Sequence, residues 1–173
     1  GSRINSSIDD AGGLAVSMKL SASIRRTEAT QANVNNALSL LQTQDGVLKN
    51  ADKILNRLSE LAQLSTDVTK STSDRALYQT EFSGLTNALS ALTSEEFNGV
   101  ALFSAAGTTL NVITSEDGGQ SVAINQADLA TIVDNIDGIS ISGASGALTT
   151  DIATLTTAIQ DLADLRATNG SEQ

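Results

Sequence analysis

From Ala37 onward, apolar residues recur at positions 37, 40, 41, 47, 48, 51, 54, 55, 58, 61 and 62, with only Gln44 and Ser65 breaking the rhythm. Two seven-residue rows result, Val34, Leu41, Leu48, Leu55, Ala62 and, beside it, Leu40, Val47, Ile54, Leu61, Val68. Spacing of i, i+3, i+4 and i+7 places such residues on one broad face of a helix. A weaker stripe precedes it between Ser7 and Thr30, through Ile8, Ala11, Ala15, Met18 and Ala22. Gly12-Gly13 weakens a helix there by about 1 kcal/mol each relative to Ala, which does not end it. A helix of about 35 to 55 residues reaches about 50–80 Å at its rise per residue. That length predicts a rod, and the chain up to about Phe97 reads mostly as helix.

Ser65 to Ser73 is rich in Ser and Thr and predicts a turn, with Ser71 or Thr72 as N-cap of a second helix. Tyr78, Phe82, Leu85, Leu89 and Leu92 form the apolar face of that helix, and Asn98-Gly99 is expected to close it. A β pattern follows, with a short strand at Val100–Phe103 and a hairpin of Leu110–Thr114 and Ser121–Asn125 around Ser115-Glu-Asp-Gly-Gly-Gln120. Residues 131–147, rich in Gly, Ser and Asp with Ile interspersed, read as a strand or loop excursion. A last helix is expected from Thr149 to Ala167, striped by Ile152, Leu155, Ile159, Leu162 and Leu165 and ended by Thr168-Asn169-Gly170. The fold class predicted is mainly α, an elongated antiparallel bundle of long helices with a small β-hairpin region at one end. The first helix is longer than its two partners can cover, so apolar surface near its N-terminal part is left for a partner chain.

Composition narrows the chemistry. The 173 residues include no Pro, Cys, His or Trp, and three Phe and one Tyr are the only rings. Average usage of about 5% would give roughly nine prolines, and their absence suits helices that run unbroken. Lacking Cys and His, the chain has no disulfide, no zinc ligand set of the usual kind and no Ser-His-Asp triad. No apolar run approaches the ~18–20 residues that span a bilayer, so membrane insertion is not expected. Nor does a signal peptide open the chain, and without an initiator Met it reads as a segment of something longer.

Charge is uneven, +1 over residues 1–75 and −11 over residues 76–165, within a total of −10. This surface repels polyanions and lacks a basic cluster with aromatics, so nucleic acid is excluded as a partner. Asp9 and Asp10, with Arg3 and Asn5, invite a metal or acid–base reading. No third group converges on them, and at a helix start negative charge is favoured by the dipole, so capping and subunit contact is the role predicted. Ser115–Gly119 lacks the spacing of a calcium loop, and a hairpin turn accounts for it. No catalytic residue, metal or cofactor is expected; the chain reads as a non-enzyme.

Particular words then carry a resemblance. Arg3-Ile4-Asn5-Ser6-Ser7-Ile8-Asp9-Asp10-Ala11, Arg57-Leu58-Ser59-Glu60-Leu61-Ala62, Glu96-Phe97-Asn98-Gly99-Val100 and Ala163-Asp164-Leu165-Arg166-Ala167 stand in order along the chain. Together they resemble the bacterial flagellins. The resemblance implies a structural subunit of the extracellular flagellar filament that serves motility and assembles through long helices. It implies one discontinuous core domain, with residues 1–130 as N-terminal helices and hairpin, 131–147 as a vestigial outer excursion and 148–173 as the returning helix. Other flagellin subunits and a flagellar export chaperone are the implied partners. The family's terminal filament-lining segments have no counterpart here, so this segment is expected to stay monomeric. Arg57, Leu61 and Glu81 stand where the family meets the vertebrate Toll-like receptor for flagellin, although Leu61 also belongs to an apolar row. A hook–filament junction protein, or an interaction or adhesion module built on a flagellin-like rod, is the alternative.

Overall fold

The structure, a computed structural model, describes residues 11–105, 107–143 and 148–173. Its elements run α1 (Ala11–Ser65), α2 (Thr72–Leu92), β1 (Glu96–Phe97), β2 (Val100–Ala101), β3 (Thr109–Ile113), β4 (Ser121–Asn125), α3 (Leu129–Ile136) and α4 (Thr149–Glu172). The fold is mainly helical, with two small antiparallel strand pairs, β1–β2 and β3–β4.

The chain divides into two compact units. One combines Ser39–Leu110 with Asn125–Gln173 and holds most of the core. Within it, Arg57 of α1 meets Glu81 of α2, and farther along α1 the carbonyl of Ser65 meets Arg75. Partner numbers fall as α1 advances, so α2 runs antiparallel to it. Leu41 and Asp45 of α1 meet Asn169 and Arg166 of α4 in the same descending order, so α4 is antiparallel too. The expected row of Leu41, Leu48, Leu55 and Ala62 is buried, together with Leu40, Leu58 and Leu61. Phe82 and Leu89 from α2 and Leu155, Ala158 and Leu162 from α4 are buried as well. Asp45 accepts from Lys49 at 2.7 Å and Arg166 at 3.2 Å. The Lys49 hydrogen bond chiefly, and Arg166 after it, hold its carboxyl below the ordinary value against the opposing pull of burial. That contribution exists above the unfolded carboxyl value and is lost as pH falls through the folded one.

Ser71 caps α2 through a capping box: its Oγ accepts from Asp74 N, and its own N–H donates to the Asp74 carboxylate. Several boundaries differ from the sequence expectation. α2 stops at Leu92, where the Thr93 and Ser94 hydroxyls bond to the carbonyls of Ser90 and Ala91. Asn98-Gly99 therefore does not close a helix. With φ of 52° and 76°, it makes the two-residue turn of the β1–β2 hairpin, in which Phe97 pairs with Val100. Strand β2 is only Val100–Ala101, and Phe103 forms an isolated parallel bridge with Ala127.

The segment expected to be strand or loop from residue 131 instead begins inside α3. Asp128 caps that helix by accepting from Thr131 N, and Leu129, Ile132, Val133 and Ile136 are all buried on one side of it. Residues 129–136 lie against α4 and α2. Finally, α4 does not end at Ala167 but runs to Glu172. Asn169 does not act as a stop because its side chain is buried and donates to the Leu41 carbonyl at 3.1 Å.

The second unit takes the described part of α1 up to Leu38 together with Asn111–Ile124. At the tip of its hairpin, Asp117 accepts from Ser115 Oγ and Gly119 N, and Gln120 N donates to Ser115 Oγ. Gly118, at φ 76°, supplies the left-handed residue of this turn. Asp117 and the glycines of this loop are accounted for by the turn itself.

Candidate functional site

Two surfaces stand out, one in each unit. On α1 and α2, Arg57 Nε donates to Glu81 Oε1 at 2.7 Å, and its Nη1 donates to Glu60 Oε2 at 2.7 Å. Arg57 is partly exposed, and both carboxylates lie at the surface. The hydrogen bond from Arg57 holds the Glu81 carboxyl below its usual range, and the paired carboxylates raise the guanidinium further still. An exposed pair of this kind adds little to stability, but it fixes a cation between two anions in one orientation. Leu61 does not share this surface. It is fully buried, so the apolar-row reading holds for its side chain in this fold and no part of it is presented outward.

The other surface is the N-terminal part of α1. Val16, Met18, Leu20 and Ile24 are between 51% and 66% exposed, a density of large apolar side chains that isolated surface hydrophobics do not reach. Val34, at the head of the first row, is exposed too. The leftover apolar surface expected from helix lengths is therefore present. Beside it, Glu116 accepts from Ser23 Oγ at 2.7 Å and from Arg26 at 2.9 Å, tying the hairpin tip to the helix. The Ser23 hydrogen bond chiefly, with help from Arg26, keeps the Glu116 carboxyl low. Arg3, Asn5, Asp9 and Asp10 lie outside the described residues.

The sequence reading passed over three features. Arg26 and Glu116 are 90 residues apart, and nothing local links them. Helix α3 did carry a signal, four apolar residues at i, i+3, i+4 and i+7 behind an Asp cap. The third is Gln44. It is fully buried, and its Nε2 donates to the carbonyls of Leu102 at 2.8 Å and Asn125 at 3.4 Å. That assignment is fixed by chemistry, since the two carbonyls can only accept. The break in the apolar stripe is thus a polar tie inside the core.

Among the described residues, no three Asp, Glu, His or Cys side chains gather where a metal would bind, and no helix is long and apolar enough to cross a membrane. What the residues do assemble is contact surface on long antiparallel helices, the layout of a structural scaffold. Residues 1–108 match the family described as "Bacterial flagellin N-terminal helical region". The chain is 31% identical to the flagellin of Clostridium tyrobutyricum over 153 residues, covering 88% of this chain and 40% of that protein. It is 35% identical to the flagellar filament 41 kDa core protein of Borreliella burgdorferi, covering 71% and 37%. The crystal structure of Bacillus cereus flagellin superposes with a TM-score of 0.72 at 26% identity, covering 82% of each chain. The chain belongs to the bacterial flagellin family. It spans well under half of the length of these two sequence relatives.

Proposed function

We propose that this chain is part of a structural subunit of the bacterial flagellar filament, outside the cell and serving motility. The single observation that carries this is the apolar face of Val16, Leu20 and Ile24, spaced four residues apart on a 55-residue helix in a chain of this family. Water-exposed apolar area of this kind is stabilised when a neighbouring subunit covers it, at about 25 cal/mol per Å². In this reading residues 1–130 supply the N-terminal helices and hairpin, and residues 148–173 the returning helix. Residues 131–147 stand where an outer excursion belongs, although α3 takes the first of them. An export chaperone is the second partner proposed, since it too would shield apolar helix before assembly.

The test places this segment in a chain of its relatives' length, in a bacterium lacking flagellin. Filaments are expected by electron microscopy, and joint substitution Val16→Lys, Leu20→Lys and Ile24→Lys is expected to abolish them. Unchanged filaments in the triple variant count against the role of this face. The absence of filaments from the unsubstituted chain counts against the subunit reading itself and favours a junction or adhesion protein.

Recognition by the vertebrate Toll-like receptor for flagellin is a second reading, favoured by the oriented Arg57–Glu81 pair at the surface. Leu61 takes part only by packing α1 beneath that pair. Titration of the receptor ectodomain should show binding that Arg57→Ala weakens at least about tenfold, a loss typical of an interfacial Arg anchor. The melting temperature should barely move. No binding by the parent chain removes the receptor assignment and leaves the filament reading intact.

A further inference from the structure

We infer that Asn98 is a site of spontaneous modification, converting to aspartate and isoaspartate, while the fold protects the chain's other Asn-Gly pair. The sequence holds two such pairs, Asn98-Gly99 and Asn169-Gly170. Locally they are chemically alike. In each, the following residue lacks a Cβ, leaving its backbone nitrogen open to approach the side-chain amide carbon. What differs is the structure around them.

The step balances with water alone. Gly99 N gives its proton to solvent and bonds to Asn98 Cγ. The Cγ–Nδ2 bond then breaks, and the amide nitrogen departs as ammonia, leaving a five-membered succinimide. Water opens that ring at either carbonyl. Opening at the main-chain carbonyl leaves isoaspartate, with an extra methylene in the backbone, and opening at the side-chain carbonyl leaves aspartate. No oxidant, metal or cofactor takes part.

At position 98 little opposes this. Asn98 and Gly99 are both exposed, and no heavy atom lies within 4 Å of where a Cβ on Gly99 would sit. Among the described residues, neither the Asn98 amide nor the Gly99 N–H has a hydrogen-bond partner. Ring closure requires the backbone of Asn98 to rotate out of the hairpin turn, with its φ of 52°. The turn is flanked by strands of only two residues each, with Glu96 opposite Ala101 and Phe97 opposite Val100. The ladder is continued by one further bond, from Leu102 N to Glu95 O at 3.0 Å, at the end away from the turn, and so short a ladder opens at its turn end at small cost. At position 169 the same chemistry is blocked four ways. The side chain is buried, its Nδ2 donates to Leu41 O at 3.1 Å, and its Oδ1 accepts from Gln173 Nε2 at 3.3 Å. Gly170 lies inside α4, so its N–H is committed to the helix.

The product matters to the hairpin. A new carboxylate at 98 joins Glu95 and Glu96 in a stretch, residues 76–165, without Lys or Arg. Isoaspartate lengthens the main chain within a turn that has room for two residues, so the Phe97–Val100 pairing cannot keep its register.

The protein is incubated in mildly alkaline buffer, native and in denaturant, and both Asn-Gly peptides are followed by mass mapping that separates aspartate from isoaspartate. In denaturant the two sites should convert alike. In the native protein, position 98 should convert within about threefold of its denatured rate, whereas position 169 should slow by more than about tenfold, since opening a buried helical site costs at least about 1.4 kcal/mol. Gly99→Ala should slow the native reaction at 98 without changing position 169. The inference is overturned if native Asn98 is slowed as strongly as Asn169, which would mean that the turn is itself protective. It is equally overturned if Asn169 converts at its denatured rate.

Discussion

Leu55→Ala should lower the free energy of unfolding by about 3–5 kcal/mol, the range for truncating a fully enclosed Leu whose surroundings relax only in part. Leu55 is fully buried, in the middle of the row Leu41, Leu48, Leu55, Ala62. Urea unfolding followed by circular dichroism provides the measurement. The midpoint should fall with no change in slope, because the surface exposed on unfolding is nearly the same. Leu20→Ala, on the same helix but 61% exposed, is the comparison and should stay within about 0.5 kcal/mol of the parent. Equal losses at the two positions would mean that α1 does not bury the face described, and the helical register would have to be redrawn.

Gln44→Glu should be at least as damaging, for a different reason. The amide Nε2 donates to two carbonyls in a fully buried setting. A carboxylate of the same shape donates nothing and places a charge there without a cation to meet it. Burial of such a charge costs about 3–5 kcal/mol near neutral pH, and the orphaned carbonyls add to it. The pH dependence identifies the cause. Burial raises the introduced carboxyl above its unfolded value, so the folded variant holds a proton that the unfolded chain has already released. Stability relative to the parent is therefore best below about pH 4.3, the unfolded Glu value, and declines as pH rises toward the folded one. Gln44→Met removes the same donors without a charge, and its deficit should be flat with pH. A deficit in Gln44→Glu that is equally flat would place Gln44 in contact with water.

Much of this architecture could be read from periodicity, and the misreadings share a physical pattern. Leu41, Leu48, Leu55 and Ala62 were legible because seven-residue recurrence has few meanings other than one face of a long helix. Ser71 was legible because an N-cap needs only its own backbone and the residue three along. Asn98-Gly99 misled because positive φ serves a helix end and a hairpin turn equally well. Which one forms depends on whether Glu96–Phe97 finds a partner strand, a pairing fixed by residues 100–101. Asn169 looked like a stop from its local preference, and tertiary contact with Leu41 overrode it. The apolar repeat of α3 was masked by the Gly, Ser and Asp that follow it. Of the candidate contact residues, the exposure of Arg57 and Glu81 followed from their place beside the stripes. The Arg26–Glu116 tie had no sequence signal, because two residues so distant along the chain are brought together only by the fold.

Met18 stands 66% exposed on the side of α1 shared with Ala15 and Ala22, turned away from Val16, Leu20 and Ile24. With no Cys in the chain it carries the only sulfur atom, so the soft, oxidisable chemistry of the protein lies outside the face proposed to be covered. Conversion to the sulfoxide turns a pliable apolar side chain into a polar one. Oxidation thus changes the polarity of α1 on one side while leaving intact the apolar face of Val16, Leu20 and Ile24 that a neighbour would cover.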